Sequence, residues 1–209
     1  MREVPLSQII LQLLALLMHL IDISTLKSYL NITSTTYDTV IDELQSFVDG
    51  RIADMCNQSI LQTTATYTFN GNGMVMKVLP NFPVTALSSL SIRSSLTNGW
   101  VSVGTLGTDY ELTDDNRVYY PAGFVGGIRN YQAVYTYGYV TAPESVQQVA
   151  LEMCDIIYKN SDIKGNPESR LGRGNISFSE GGVTQTKSFL DLDPKWRAML
   201  KPYAVLPEA

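Results

Sequence analysis

The residues of this chain that carry chemistry are few, and their spacing builds no catalytic or metal site. The 209 residues include one histidine, His19, and two cysteines, Cys56 and Cys154. This inventory argues against a Ser-His-Asp triad, a histidine-rich metal site and a disulfide-stapled fold. Each cysteine stands among apolar residues of a predicted helix, far in sequence from the histidine. That setting favours a small buried thiol in a reducing compartment over a nucleophile.

Two polar clusters superficially suggest ligand-binding loops. Residues 69–74 (Phe-Asn-Gly-Asn-Gly-Met) lack the third glycine of a phosphate-binding loop and lie between predicted strands, so a hairpin turn is favoured. A second cluster has the composition of a calcium site without EF-hand spacing, which favours solvated turn residues: Asp109, Glu111, Asp114 and Asp115. We therefore expect no enzyme activity, no metal and no cofactor.

Composition describes a mildly acidic globular chain. Hydrophobic residues make up 44% of it, and its mean hydropathy is +0.01, which argues against disorder and against several membrane spans. The net charge of −5 does not suggest the basic stripe of a duplex-binding surface. The length fits one domain with substantial arms.

The N-terminal segment, residues 1–19, is the most apolar part of the chain. It is shorter than a membrane span and is interrupted by Gln12, and it lacks the basic start and cleavage site of a signal peptide. Its apolar residues have helical spacing, which favours a helix docked on the body or on a neighbouring subunit: Leu6, Ile9, Ile10, Leu13, Leu14 and Leu17. Export or anchoring stays open as an alternative, including a membrane-tethered enzyme.

The rest of the chain falls into three zones of different periodicity. Apolar residues spaced by three and four predict helices over 22–30, 37–57 and 143–159. Short β-rich runs separated by Asn-Gly and Asp-Asn turns predict an antiparallel β module over 61–140. The expected fold class is α+β: a helical core of antiparallel helices (within residues 20–160), an inserted antiparallel β-hairpin module, and an extended C-terminal arm (161–209) ending in a short helix.

That C-terminal helix, predicted over 193–203, follows a polar and glycine-rich stretch with at most a lone strand at 175–179. Its apolar residues have helical spacing: Trp196, Met199, Leu200 and Tyr203. A helix that follows so long a loop cannot add much to the main core, so we interpret it as a docking element.

The order of several motifs resembles a known family. Residues 79–90 (Leu-Pro-Asn-Phe-Pro-Val-Thr-Ala-Leu-Ser-Ser-Leu), 108–112 and 134–144 resemble segments of the head–tail connector (adaptor, or head-completion) proteins of tailed bacteriophages. Residues 20–30 are similar to that family's opening helix. The likeness covers about residues 20–160, with a weaker likeness at 192–203, and residues 1–19 depart from the pattern.

The resemblance implies a virion protein, made in the host cytoplasm, that stands at the head–tail interface without a membrane. It implies a ring, commonly of twelve subunits, below the portal protein and above a tail or stopper protein. DNA passes through the ring without sequence-specific binding, which suits an acidic chain because like charges repel within a Debye length of ~8 Å.

The resemblance also assigns roles to residues. Portal docking goes to the C-terminal helix: Trp196, Met199, Leu200 and Tyr203. Contact between subunits goes to the predicted hairpin turn and to a tyrosine-rich strand: Asn70, Gly71, Asn72, Gly73, Tyr131, Tyr135 and Tyr137. The alternative hypothesis is a tail or surface β module that binds carbohydrate through Tyr119, Tyr131 and Tyr137.

Overall fold

The computed structural model describes residues 19–95, 97–159, 175–180 and 183–205, with the side chains of 175–193 left out. The chain divides into two compact units. The central unit comprises residues 61–140. The terminal unit comprises the chain before residue 61 and after residue 140.

The helices all belong to the terminal unit, and most strands belong to the central unit. The helices are α1 (Ile23–Tyr29), α2 (Asp38–Cys56), α3 (Glu144–Lys159) and α4 (Phe189–Leu200), and a 3₁₀ turn (Lys201–Tyr203) follows α4. The strands are β1 (Thr63–Gly71), β2 (Met76–Val78), β3 (Val84–Ile92), β4 (Val101–Ser102), β5 (Glu111–Thr113), β6 (Arg117–Tyr119), β7 (Gly127–Tyr137), β8 (Asn175–Glu180) and β9 (Val183–Ser188). None of the described helices combines the length and the apolar character needed to cross a membrane.

The helices of the terminal unit begin and end at residues suited to those positions. Asp22 precedes α1, and its carboxylate accepts a hydrogen bond from the Ser24 amide at 2.9 Å, which satisfies a donor that the first turn leaves unpaired. Asn57 ends α2 with a left-handed backbone (φ 54°), a conformation that asparagine tolerates well.

Two helices supply most of the buried apolar surface of the terminal unit. On α2 the buried apolar residues share one side of the helix: Ile41, Val48, Ile52, Met55 and Cys56. On α3 they recur at helical spacing: Val146, Val149, Ala150, Met153, Cys154 and Tyr158. Gln45, also buried on α2, donates a hydrogen bond to the Ile21 carbonyl at 2.7 Å and thereby holds the chain that leads into α1.

Gly50 stands inside α2 with no atom within 4 Å of the place a Cβ would take. Gly50→Ala is expected to raise the free energy of unfolding by about 0.5–1 kcal/mol, because alanine loses less backbone entropy in a helix. Urea denaturation followed by circular dichroism measures the change. Gly107→Ala is the matched control: Gly107 has equally open space but a φ of +81°, so alanine is expected to destabilise there. A destabilising Gly50→Ala would contradict the prediction.

The central unit contains two antiparallel sheets. One has the order β1-β7-β3-β4, and the other has the order β2-β6-β5. Strand β7 is the centre of the larger sheet, since Tyr137 lies opposite Thr63 on one side and Val84 on the other. The unit has its own buried core, rich in aromatic residues: Phe69, Leu79, Leu87, Leu90, Tyr110, Val118, Phe124, Tyr131, Ala133, Tyr135 and Tyr137.

The prediction of a helical core with an inserted β-hairpin module is wrong. The described chain has nine strands against four α-helices, and the β region is a compact unit with a core of its own. The strands on either side of Asn70–Gly73 do not pair with each other as a hairpin. Instead β1 pairs with β7, and β2 pairs with β6. In the C-terminal part, β8 and β9 form an antiparallel pair before α4, where the sequence predicted at most a lone strand.

Candidate interaction surfaces

Helix α4 is held against its own chain. Trp196 and Leu200 are buried within the terminal unit. The Trp196 indole Nε1 donates a hydrogen bond to Glu152 Oε2 on α3 at 3.1 Å, and Lys195 Nζ lies 2.8 Å from the same oxygen. Burial disfavours the charged Glu152, yet the hydrogen bonds from Lys195 and Trp196 outweigh it and hold the pKa of this carboxyl below its usual value.

The segment after α4 is tied to the ends of two other helices. The Tyr203 hydroxyl lies 2.8 Å from Ser145 Oγ at the start of α3, and the Gln58 side chain donates to the Tyr203 carbonyl. The Val205 amide donates to the carbonyl of Cys56, the last residue of α2, at 2.8 Å. A side chain enclosed by its own unit offers no surface to a partner, so portal docking does not fit Trp196 and Leu200. Met199 and Tyr203 are partly exposed.

The tyrosines of β7 are core residues rather than contact residues. Tyr131, Tyr135 and Tyr137 face the interior and are 1%, 0% and 8% exposed. The Tyr135 hydroxyl donates to Asn81 Oδ1 at 2.6 Å, and burial raises the pKa of Tyr135 to about 12. Contact with a neighbouring subunit therefore does not fit these three side chains. Because Tyr131 and Tyr137 are buried, two of the three tyrosines on which carbohydrate binding would depend offer no surface to a sugar.

The glycine-rich turn at residues 70–73 is hydrogen-bonded to the first residues of β7 and to the segment just before it. The Gly71 amide donates to Asn130 Oδ1 at 2.8 Å, and the Arg129 amide donates to Asn70 Oδ1 at 2.6 Å. The Gly73 amide donates to the Phe124 carbonyl at 2.7 Å. These bonds give one end of the central unit a fixed shape. Contact between subunits through Asn70, Gly71, Asn72 and Gly73 remains a prediction, with Asn72 and Gly73 exposed and Gly71 buried.

The remaining chemical candidates have structural partners. Asp109 Oδ2 accepts a hydrogen bond from the Thr105 amide at 2.7 Å, and Asp115 pairs with Arg117 at 2.8 Å. Within the described ranges, no group of three or more His, Cys, Asp or Glu side chains is placed to hold a metal ion. Both cysteines are buried, and burial raises the thiol pKa of Cys56 to about 11 and that of Cys154 to about 12. Such thiols are poor nucleophiles.

An apolar surface that sequence reasoning missed lies at the end of the central unit formed by residues 70–76 and 123–129. We call it the tip, and its exposed apolar members are Met74, Val75, Met76, Val125 and Ile128. Ile128 is 81% exposed, the largest value among the exposed apolar residues of the described chain. The sequence signal that could have revealed this surface is the apolar pair Phe124-Val125 between glycines, because a solvated turn rarely contains such residues.

A second apolar surface lies on the terminal unit. All four exposed large apolar residues of this unit, within its described part, lie on α1 or at and beyond the start of α2: Tyr29, Tyr37, Val40 and Phe47. Tyr37, Val40, partly exposed Leu44 and Phe47 are spaced by three, four and three positions, so they form one line along the helix. We call this line the α2 stripe. The periodicity predicted an apolar face here, but the buried face of α2 lies beside the stripe.

His19 lies between two carboxylates of α2. Its Nδ1 is 2.8 Å from Asp49 Oδ2, and its Nε2 is 3.1 Å from Asp42 Oδ1, so both ring nitrogens donate when the imidazole is protonated. Partial burial alone would lower the pKa of His19, but the bonds to Asp49 and Asp42 outweigh it and raise that pKa above 6.5. Burial raises the pKa of Asp49, and the contact with His19 offsets only part of this effect.

This arrangement predicts a stability that depends on pH. A folded-state pKa raised above the unfolded value means that His19 contributes its full stabilisation below about pH 6.5 and loses it as pH rises through the folded value. We expect the free energy of unfolding, measured with urea, to fall between pH 6 and pH 8. His19 is the single histidine of the chain, so His19→Gln should flatten this slope. An unchanged slope in His19→Gln would refute the assignment.

The comparisons with known proteins point to one kind of particle. A family model described as "Head completion protein" matches residues 19–181. The match starts at His19, whose side chain contacts α2. No curated protein matches the chain.

Three solved structures have a similar fold. A chain from the neck of an empty GTA particle computed with C6 symmetry has a TM-score of 0.56 at 10% identity, with 93% of both chains covered. A chain from the virion of a native gene transfer agent (GTA) particle has a TM-score of 0.56 at 11% identity, again with 93% of both covered. A chain from the neck of a native GTA particle computed with C12 symmetry has a TM-score of 0.51 at 12% identity, with 90% of both covered. At these identities the likeness is one of fold.

Proposed function

We propose that this chain, which belongs to the head completion protein family, is a structural head–tail connector of a tailed bacteriophage. In this proposal it is a virion protein at the head–tail interface. Copies of the chain form a ring of about twelve subunits under the portal protein. The ring extends the DNA channel and provides the surface to which a tail or stopper protein attaches. The function is assembly, without catalysis.

The family match carries the proposal, because it spans residues 19–181 and hence most of both units. The fold likeness to neck chains from particles computed with C6 and C12 symmetry supports a ring. The two exposed apolar surfaces, the α2 stripe and the tip, support assembly, since such patches on soluble proteins commonly mark protein contacts. The net charge of −5 suits a channel that must let DNA pass without holding it.

Native mass spectrometry of the full-length chain, alone and with the portal protein of the same phage, tests the proposal. The expected product is a closed oligomer of about twelve 23.1-kDa subunits that binds the portal. A second assay mixes the purified chain with DNA-filled heads and free tails from an infection that lacks this gene product. Infectious particles should appear only when the chain is added.

A chain that stays monomeric in both conditions and leaves the heads tailless would refute the connector role. Carbohydrate binding is not proposed as a second function, because Tyr131 and Tyr137 are buried in the core of the central unit.

A further inference from the structure

We propose that the α2 stripe of one subunit binds the tip of the next subunit, and that this contact closes the ring. The inference rests on the proposed function, which supplies the ring, and names the two surfaces that build it. A ring with cyclic symmetry repeats one contact between two different surfaces of the subunit. Each subunit must therefore carry two surfaces that fit each other and not themselves.

The stripe has the character of the apolar half of such a contact. Phe47 is 57% exposed and Val40 is 38% exposed, on a helix whose opposite side is fastened to the chain entering α1 by Gln45 and His19. This line of two aromatic and two aliphatic side chains lies along three turns of helix and presents a preformed surface. It resembles the apolar centre of protein interfaces, in which aromatic residues are enriched.

The tip is the second half of the proposed contact, and its exposed apolar side chains stand on a hydrogen-bonded frame. Its backbone is cross-linked by hydrogen bonds, since the Phe124 amide donates to the Met74 carbonyl at 2.8 Å and the Asn130 side chain donates to the Val125 carbonyl at 2.9 Å. Ile128 and Met74 are 81% and 63% exposed on this frame. A surface whose backbone is already fixed loses little conformational entropy when it binds, which favours affinity.

The exposed charges at the two surfaces have opposite signs. Glu43 stands one helical turn before Phe47 and Asp54 two turns after it, so both exposed acids border the stripe, whereas half-buried Arg51 stands one turn after Phe47 in line with it. The tip carries exposed Arg129, and the Arg93 guanidinium donates to the Arg129 carbonyl at 3.0 Å. Within the described part of the chain, neither Glu43 nor Arg129 forms an ion pair. Opposite charges at the rim of an apolar contact set its orientation and oppose pairing of like surfaces.

The test uses two charged variants, Phe47→Asp and Ile128→Asp, and native mass spectrometry. Each variant alone is expected to be monomeric, since every contact in its ring would contain one damaged surface and association would weaken about tenfold or more. An equal mixture is expected to give a heterodimer and nothing larger. In that heterodimer the intact tip of Phe47→Asp binds the intact stripe of Ile128→Asp, and the two surfaces left over are both damaged.

Val101→Asp is the matched control, because Val101 is 64% exposed in the central unit outside the tip. This variant should form the same oligomer as the unmodified chain. Circular dichroism of all three variants checks that they fold, and substitution at such exposed positions leaves the core untouched.

Several results would overturn the inference. If both Phe47→Asp and Ile128→Asp form the normal oligomer, these surfaces do not build the ring, although the connector proposal stands. If Phe47→Asp alone fails to assemble, the stripe binds something other than the tip. A chain starting at Met18 that fails in the same way would identify residues 1–17 as that occupant. If the unmodified chain forms no oligomer with or without portal protein, the proposed function fails first.

Discussion

Trp196→Ala is expected to lower the free energy of unfolding of the terminal unit by about 3–5 kcal/mol. Trp196 on α4 is fully buried, and its indole contacts Glu152 on α3, so its removal would leave a large cavity. The substitution also removes the indole donor that binds Glu152. Urea denaturation followed by the circular dichroism of the helices measures the loss.

Trp100→Ala is the matched control, because it removes the same side chain from a partly exposed position. Trp100 stacks under the Arg93 guanidinium, whose carbon lies 4.4 Å from the ring centre, a contact worth about 0.5–1 kcal/mol at an exposed site. A docking role without a packing role would give the opposite pattern: Trp196→Ala would keep full stability and lose only portal binding.

Gly71→Ala is expected to destabilise the central unit by about 2–3 kcal/mol. A Cβ at this position would lie 1.9 Å from the Val125 carbonyl oxygen and 2.9 Å from that of Phe124. Both clashes are with backbone atoms. The backbone at Gly71 and the backbone at Phe124 and Val125 would have to move apart to relieve them. The same movement would disturb the tip, and we expect assembly of the ring to weaken as well.

Gly99→Ala is the control for Gly71→Ala. Gly99 lies in the loop between β3 and β4 of the central unit, where an added Cβ would meet nothing within 4 Å, so the expected change is within about 0.5 kcal/mol. Thermal unfolding of both variants by calorimetry compares them directly. Equal stability of the two variants would show that the close approach of Val125 to Gly71 is absent in solution.

Helical elements were predictable because their signals are local. The spacing of Ile41, Val48 and Ile52 marks one face of α2, and all three are buried. The same spacing includes Tyr37, Val40 and Phe47, which are exposed. Periodicity indicates which residues share a side of a helix. How many of those residues are buried depends on which other helices of the chain pack against that side.

The strand partners were not predictable in the same way. The turn at Asn70–Gly73 has the residues of a hairpin, yet Phe69 lies opposite Tyr131, 62 positions along the chain, and Met76 lies opposite Tyr119. Turn chemistry fixes how the backbone bends, whereas the choice of partner depends on distant strands that bury the same apolar face.

The three tyrosines of β7 that were assigned to subunit contact show a related limit of sequence patterns. Alternation along β7 correctly places Tyr131, Tyr135 and Tyr137 on one face, but alternation does not say which face is buried. That face is the core because other apolar residues of the central unit pack against it, among them Phe69 and Phe124 on Tyr131. The tip residues Met74 and Ile128 carried no periodic signal, since each stands in an irregular segment whose exposure depends on the complete fold.

The interruption of the terminal unit by the central unit sets an order of folding on the ribosome. Leu61 and Tyr139 form a β-bridge, and the Gln62 amide donates to the Tyr139 carbonyl at 2.9 Å, so both ends of the central unit lie side by side. This unit can close as soon as β7 has emerged during synthesis. Helices α1 and α2 precede the central unit, but they pack against α3 and α4, which follow it in the chain. Their apolar faces are therefore expected to stay exposed in the nascent chain until after the central unit has folded.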